Sequence, residues 1–394
     1  MYKQTQTEEH CRTDFAYCLS LFLFIMGYTR ISAFQEQTTP RDRVWLHIGL
    51  FLFTFVSCMM AGTQWAGKEF NEISHWGYGA TYAFLITTFL AAHEFGHYFA
   101  ARRHGVDATL PYFIPVPFVF LFPFGTMGAV IKTRTPIYSR KALFDIGVAG
   151  PLAGFVMCVA YLIIGYTALP SVEYLYSIHP EYRAFGGAVP VHGLYFGDTI
   201  LMRVIEQLCT NPAQFVPPMN EIYHYPYLCV GWFGLFVTSL NLLPIGQLDG
   251  GHILYAMFGS HQRIVARIVW TMMLILGIGS FIGTLQVSIS HSSPDAIYTF
   301  FQSLLLPVFE ALEHLAPWLY KAWGGWLLWA ILGRVFFKLD HPALDNEEPI
   351  GWVRMTIGWL TIIIFIVSFS WNGLYEIPQT PDNMIPTQGA MIRR

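Results

Sequence analysis

The sequence predicts an all-α polytopic membrane protein of about eight transmembrane helices, with a re-entrant extended segment near 107–140. Three observations predict it. Of the 394 residues, 54% are hydrophobic and only 12% are charged, too little charge to cover a soluble protein of this length; the mean hydropathy is +0.44. Charge is almost absent from whole blocks, at 77–92, 143–168, 227–248, 268–289 and 352–370. Several of these approach or exceed the roughly 20 residues a helix needs to cross the hydrocarbon layer. Finally, the apolar stretch 107–140 carries Pro111, Pro115, Pro117, Pro123 and Pro136. Such a run breaks a spanning helix repeatedly, and irregular backbone at membrane depth must be shielded by protein or water.

The predicted spans lie near 15–35, 45–63, 77–100, 143–168, 227–246, 264–287, 316–336 and 352–371. The first apolar stretch starts near Phe15, behind a mixed polar leader, and reads as a retained helix. The stretch 299–318 has apolar residues at helical spacing, interrupted by Pro307, Glu310 and Glu313; it fits an interfacial helix or part of a broken span. The pattern divides into N-terminal accessory helices (1–76), a core (77–290, with an extramembrane loop at 169–226) and C-terminal accessory helices with a tail (291–394).

Orientation follows from the basic residues beside the helix ends. Arg41 and Arg43, Arg102 and Arg103, Lys132 to Lys141, Arg263 and Arg267, and Arg334 with Lys338 all fall on one face if the helices alternate. That face is expected to be cytoplasmic. The opposite face then carries the 169–226 loop, whose only basic side chains besides histidine are Arg183 and Arg203, together with the C-terminus. A net charge of -3 and the lack of a long basic run offer no footprint for nucleic acid. The six cysteines show no CxxC spacing, which argues against a thiolate metal site; Cys209 and Cys229, flanking the extramembrane segment, are a candidate pair.

The chemistry concentrates in two places. The span at 77–100 ends in HEFGH at 93–97. On a helix, His93 and His97 lie four apart on one face, where both imidazoles reach a single zinc ion, and Glu94 stands beside them to hold a water. Ionisable groups in such a setting are costly and mark function; the bland alternative is a satisfied polar network between helices. Catalytic zinc usually takes three protein ligands and a water. The best candidate for the third is Asp249, in NLLPIGQLDGG at 241–251, which ends another apolar run on the same predicted face. In isolation Asp249 is equally suited to cap a helix, and His252 is a ligand or a supporting partner. Pro244 and Gly246 are expected to break or bend the chain, and Gly250 and Gly251 to permit close approach. Gly96 is expected to let another segment approach the motif helix, and Gly150 with Gly154 forms a close-packing spacing. Asp145 reads as an N-cap, with a role in tuning the site as the alternative. His179, His192 and His224 read as ordinary loop histidines, a regulatory metal site being the alternative.

HEFGH at 93–97, FGTMGAVI at 124–131, FDIGVAGPLAGF at 144–155 and NLLPIGQLDGG at 241–251 together resemble the site-2 protease family of intramembrane zinc metalloproteases. The four motifs lie within 77–290 and are far more specific than the pentapeptide alone. The resemblance implies that His93, His97 and Asp249 bind Zn2+, that Glu94 is the catalytic base, and that Asn241 holds the substrate backbone or polarises its carbonyl. It implies transmembrane protein substrates cleaved within a lipid bilayer, with the Gly125–Gly128 stretch as extended structure near the active site. The 169–226 loop is too short for the PDZ domain of one branch, so the chain looks more like the PDZ-free branch of cyanobacterial and chloroplast EGY-type members. The expected setting is a bacterial inner membrane, with the active site toward the cytoplasm. No feature of the pattern sets an oligomeric state. Two other classes fit parts of the pattern: a transporter, which predicts ion flux independent of peptidase activity, and a silent scaffold, which predicts zinc without cleavage.

Overall fold

A computed structural model describes residues 42–377, apart from 119–122, 185, 291–295, 321 and 347. The predicted span at 15–35, Cys11, Cys18 and the terminal arginines lie outside the described residues.

Among the described residues, three helical stretches are long and apolar enough to cross a membrane: α1 (Val44–Trp65), α3 (Arg140–Thr167), and the stretch Asp249–Ile289, formed by α8 (Asp249–Phe258) and α9 (Gln262–Ile289). Two shorter apolar helices, α12 (Gly325–Val335) and α13 (Trp352–Ser368), accompany them. With α2 (Ala80–Arg103) and α7 (Pro226–Asn241), these make an all-α polytopic membrane protein. The outward faces suit lipid rather than water: Leu52 and Phe53 of α1, Val156 and Ile163 of α3, and Ile268, Met272 and Phe281 of α9 are all exposed. The helix α7 is different, because nearly every residue from Leu228 to Leu240 is buried, as expected of a helix that is apolar all round. Its aromatic side chains form the centre of the core, with Phe196, Trp232, Phe233 and Phe236 in ring contact.

Local signals account for the boundaries. Ser139 caps α3, accepting from the Ala142 amide at 3.2 Å. Pro226 occupies the first turn of α7, where its missing N–H costs nothing. The expected span at 227–246 stops at Asn241 instead, because Pro244 cannot continue the helix. Gly246 then turns the chain at φ +44, where an added Cβ would strike the Lys338 carbonyl. The expected span at 316–336 is also interrupted, giving α11 (Pro317–Tyr320) and then α12. The ambiguous stretch before it forms one helix, α10 (Ala296–Leu315), with Pro307 inside.

The proline-rich segment folds as a hairpin of β1 (Tyr112–Pro115) and β2 (Thr126–Val130). It leans on α1: Ser57 Oγ donates to the Gly125 carbonyl at 2.7 Å, and the His47 ring meets the Pro111 carbonyl at 3.0 Å. Gly125 is needed there twice over, since its φ is +75 and a Cβ would lie 2.5 Å from the Ser57 carbonyl oxygen. The 169–226 segment is more structured than a loop. It contains α4 (Val172–Ile178), α5 (Glu181–Ala184), β3 (Gly193–Phe196) and α6 (Ile200–Cys209). Strand β3 pairs antiparallel with β4 (Leu374–Ile377), which follows α13. The chain beyond α13 therefore begins on the same side as this segment.

Two expectations need correction. Cys209 and Cys229 are free thiols, and Cys229 is fully buried in α7. Asp145 is no cap: α3 starts five residues earlier, and the Asp145 carboxylate takes two hydrogen bonds from Arg354 of α13 at 2.8 Å and one from His104 at 2.8 Å. The cluster joins the end of α2, the start of α3 and the start of α13. Both partners are about one-third exposed, so solvent weakens the pair. Arg354→Ala should cost about 1 kcal/mol, read as a drop of a few degrees in the unfolding midpoint in detergent.

Candidate metal centre

His93 and His97 lie on consecutive turns of α2 and face the same way, with their Nε2 atoms 3.1 Å apart. Asp249 is the first residue of α8, not the end of the preceding helix, and the N-cap position belongs to Leu248. Its carboxylate is turned toward the imidazoles, with Oδ2 3.4 Å from each Nε2. Three ligand atoms thus converge from two helices. Both histidines are almost fully buried and Asp249 is 17% exposed.

The surroundings hold this geometry. His97 Nδ1 lies 2.7 Å from the Ile146 carbonyl of α3, which fixes Nδ1 as the donor and leaves the Nε2 lone pair facing Asp249. Gly150 makes room: a Cβ there would stand 2.1 Å from His97 Nε2. Gly154 is less tight, a Cβ there lying 3.0 Å from the Phe89 ring and 3.3 Å from His93 Nδ1, and at Gly96 a Cβ would meet the Ala149 carbonyl at 2.6 Å. The small residues let α2 and α3 approach until the imidazoles fill the seam. The second motif uses the same device, because a Cβ at Gly250 would stand 2.0 Å from the Leu242 carbonyl oxygen. These glycines let the turn after α7 fold tightly and deliver Asp249.

Glu94 is buried beside the cluster, 7% exposed, with the Ile131 backbone just after β2 close to its carboxylate. Asn241, the last residue of α7, brings Nδ2 to 3.4 Å from His93 Nε2. All five residues singled out in the sequence therefore meet in one place, with β2 alongside. His252 is not among the converging ligands; its Nδ1 pairs with His341 Nε2 at 3.0 Å. The parts that sequence reasoning missed are the Ile146 carbonyl, the Ile131 backbone and His341. Backbone acceptors carry no residue signature, and His341 lies 89 residues from its partner.

The donor set suits a divalent metal. Two neutral imidazole nitrogens and one carboxylate oxygen are ligands that zinc favours, with a further position left for water. His93 Nδ1 is the one buried nitrogen of the set that finds no hydrogen-bond partner among the described residues.

Comparison with known proteins decides the family. The model of peptidase family M50 matches residues 81–280, which include HEFGH, the hairpin and Asp249. The chain belongs to peptidase family M50. Among curated M50-like relatives, it is 30% identical over 195 residues to "Probable zinc metalloprotease EGY1, chloroplastic" of Oryza sativa subsp. japonica, covering 50% of this chain and 30% of that protein. It is 26% identical over 198 residues to "Probable zinc metalloprotease EGY2, chloroplastic" of Arabidopsis thaliana, covering 50% and 32%. A longer match, 28% over 284 residues, joins it to "Probable zinc metallopeptidase EGY3, chloroplastic" of Arabidopsis thaliana, covering 69% and 39%. The chain thus spans about a third of the length of the curated relatives it matches. No solved structure matches.

Proposed function

We propose that this chain is a zinc-dependent intramembrane endopeptidase that hydrolyses peptide bonds within or near transmembrane segments of membrane-protein substrates. The observation that carries the reading is the convergence of His93, His97 and Asp249 beside Glu94 in a polytopic membrane protein of family M50.

His93, His97 and Asp249 are the proposed ligands. Zinc held by them would supply Lewis acidity, lowering the pKa of water and polarising a carbonyl. Glu94 takes the proton from the attacking water and returns it to the leaving amine, and its burial between α2 and β2 keeps that proton from bulk solvent. Asn241 donates Nδ2–H to the oxygen on which negative charge develops. Asn241→Ala should therefore lower kcat about 10²-fold with little change in KM, measured on a purified substrate in detergent.

A helical substrate shields its own peptide bonds. The free side of β2 offers an unwound segment a strand to pair with, next to Glu94. Membrane lipids complete the environment. We further propose the full complement of about eight spans, the division into a 77–290 core with flanking helices, and an active site toward the cytoplasmic side of a bacterial inner membrane. The basic residues beside the helix ends, with Asn241 ending α7 and His97 in the C-terminal third of α2, support that orientation. The chloroplastic relatives named above make a plastid membrane the competing setting.

The test is a panel of single-span substrates reconstituted with the protein, with products located by intact mass. Cuts inside the spans, abolished by a chelator and restored by zinc, are expected. Cuts confined to extramembrane tails, or none across a broad panel, would overturn the reading.

A further inference from the structure

The opposite end of the bundle carries a second convergence of ligand atoms. His179 directly follows α4, and Glu221 and His224 flank the short turn that leads into α7. The Nε2 atoms of His179 and His224 are 2.9 Å apart. Glu221 Oε2 lies 3.5 Å from the His224 Nε2 and 3.8 Å from the His179 Nε2. The α7 helix, 16 residues long, separates His224 from Asn241 by about 24 Å at 1.5 Å per residue, so this cluster is not part of the site described above.

Every outward-facing atom of the cluster is already engaged. His224 Nδ1 lies 2.8 Å from the Trp65 carbonyl at the end of α1, which leaves its Nε2 unprotonated and facing inward. His179 Nδ1 lies 2.9 Å from a Glu181 carboxylate oxygen, the arrangement that orients histidine ligands in metal sites. Glu221 Oε1 accepts from the Tyr182 hydroxyl at 2.7 Å. The three inward atoms are what remain. Glu221 Oε2 is buried, its side chain 2% exposed, with no hydrogen-bond partner among the described residues. A hydrogen bond from His179 to His224 would satisfy the two nitrogens and still strand that oxygen, which a buried polar atom tolerates poorly. A cation shared by all three atoms satisfies each of them.

We infer that His179, Glu221 and His224 form a second zinc site. Two imidazoles and a carboxylate are the donors zinc takes, and the His93–His97–Asp249 cluster has the same donor types at closely similar separations. The site is a clamp. It ties the segment holding α4 to the start of α7, while the Trp65 carbonyl brings in the end of α1 through His224. A water completes the coordination on the side of His179, which is 24% exposed.

The test counts zinc in the full chain, purified in detergent, stripped with a chelator, reloaded with excess Zn2+ and freed of unbound metal. Native protein should hold two zinc ions, and Glu221→Gln, which keeps the side-chain shape, should hold one. Asp249→Ala should also hold one, and the double variant none. Zinc should slow proteolytic nicking of 169–226 about tenfold in native protein, and not in Glu221→Gln or in His179→Ala. A native count of none, or an undiminished count in Glu221→Gln, would overturn the inference. A native count of one that persists in Asp249→Ala and vanishes in Glu221→Gln would uphold it, and the proposed catalytic site alone would fail.

Discussion

Replacing Glu94 by Gln should reduce peptide-bond cleavage by about 10³-fold or more while leaving zinc bound. The side chain keeps its length and shape, so the packing between α2 and β2 is preserved. What it loses is the ability to take a proton from water and hand it on. Glu94 is not one of the three convergent ligand atoms, so the metal should stay. The pairing of the two readouts matters. A fall in cleavage with a matching fall in zinc would show that Glu94 supports the metal rather than the proton transfer. Unchanged cleavage would remove Glu94 from the mechanism.

Enlarging Gly150 should produce the opposite pairing, with activity lost because the metal is lost. An added Cβ would stand 2.1 Å from His97 Nε2 and 2.4 Å from its Cδ2, far inside any real contact. The imidazole cannot retreat without breaking its 2.7 Å contact with the Ile146 carbonyl, and moving α2 away from α3 would open the seam that Gly96 closes against the Ala149 carbonyl. Gly150→Val should therefore displace His97 and weaken metal binding at that site by about 10- to 100-fold or more, the loss seen when support for a ligand is removed. Cleavage should fall with it, measured as zinc occupancy and product yield on the same preparation. Gly49→Val, on the exposed face of α1 where a Cβ meets nothing within 4 Å, serves as the matched control and should leave zinc and cleavage unchanged.

The parts of this architecture readable in the sequence are those governed by local rules. HEFGH announces itself because helical spacing puts His93 and His97 on one face. The prolines between Pro111 and Pro123 rule out a helix, and the hairpin follows. The glycines at 150 and 154 indicate a tight seam, although only the structure shows that imidazoles rather than backbone occupy it. What was not readable depends on distant partners. Asp145 looked like a cap because Arg354 stands 209 residues away. Asp249 looked like a helix end because the turn after Asn241 is stabilised by tertiary contacts, including the amide of Gly246 on the Leu339 carbonyl at 3.2 Å. The cluster of His179, Glu221 and His224 is half visible in the sequence: the histidines stand out in the 169–226 segment, but Glu221 is unremarkable there and acquires meaning only through burial.

The central claim is that Asp249 completes a zinc site with His93 and His97. The most direct measurement is X-ray absorption at the zinc edge in the Glu221→Gln background, which leaves only this site to load, comparing the native Asp249 with Asp249→Cys. A sulfur ligand scatters strongly and sits at about 2.3 Å from zinc, against roughly 2.0–2.2 Å for nitrogen and oxygen. The account predicts a native spectrum of nitrogen and oxygen ligands only, with a sulfur shell appearing in the variant. Zinc-loaded Asp249→Cys protein with a spectrum identical to the native one would contradict it.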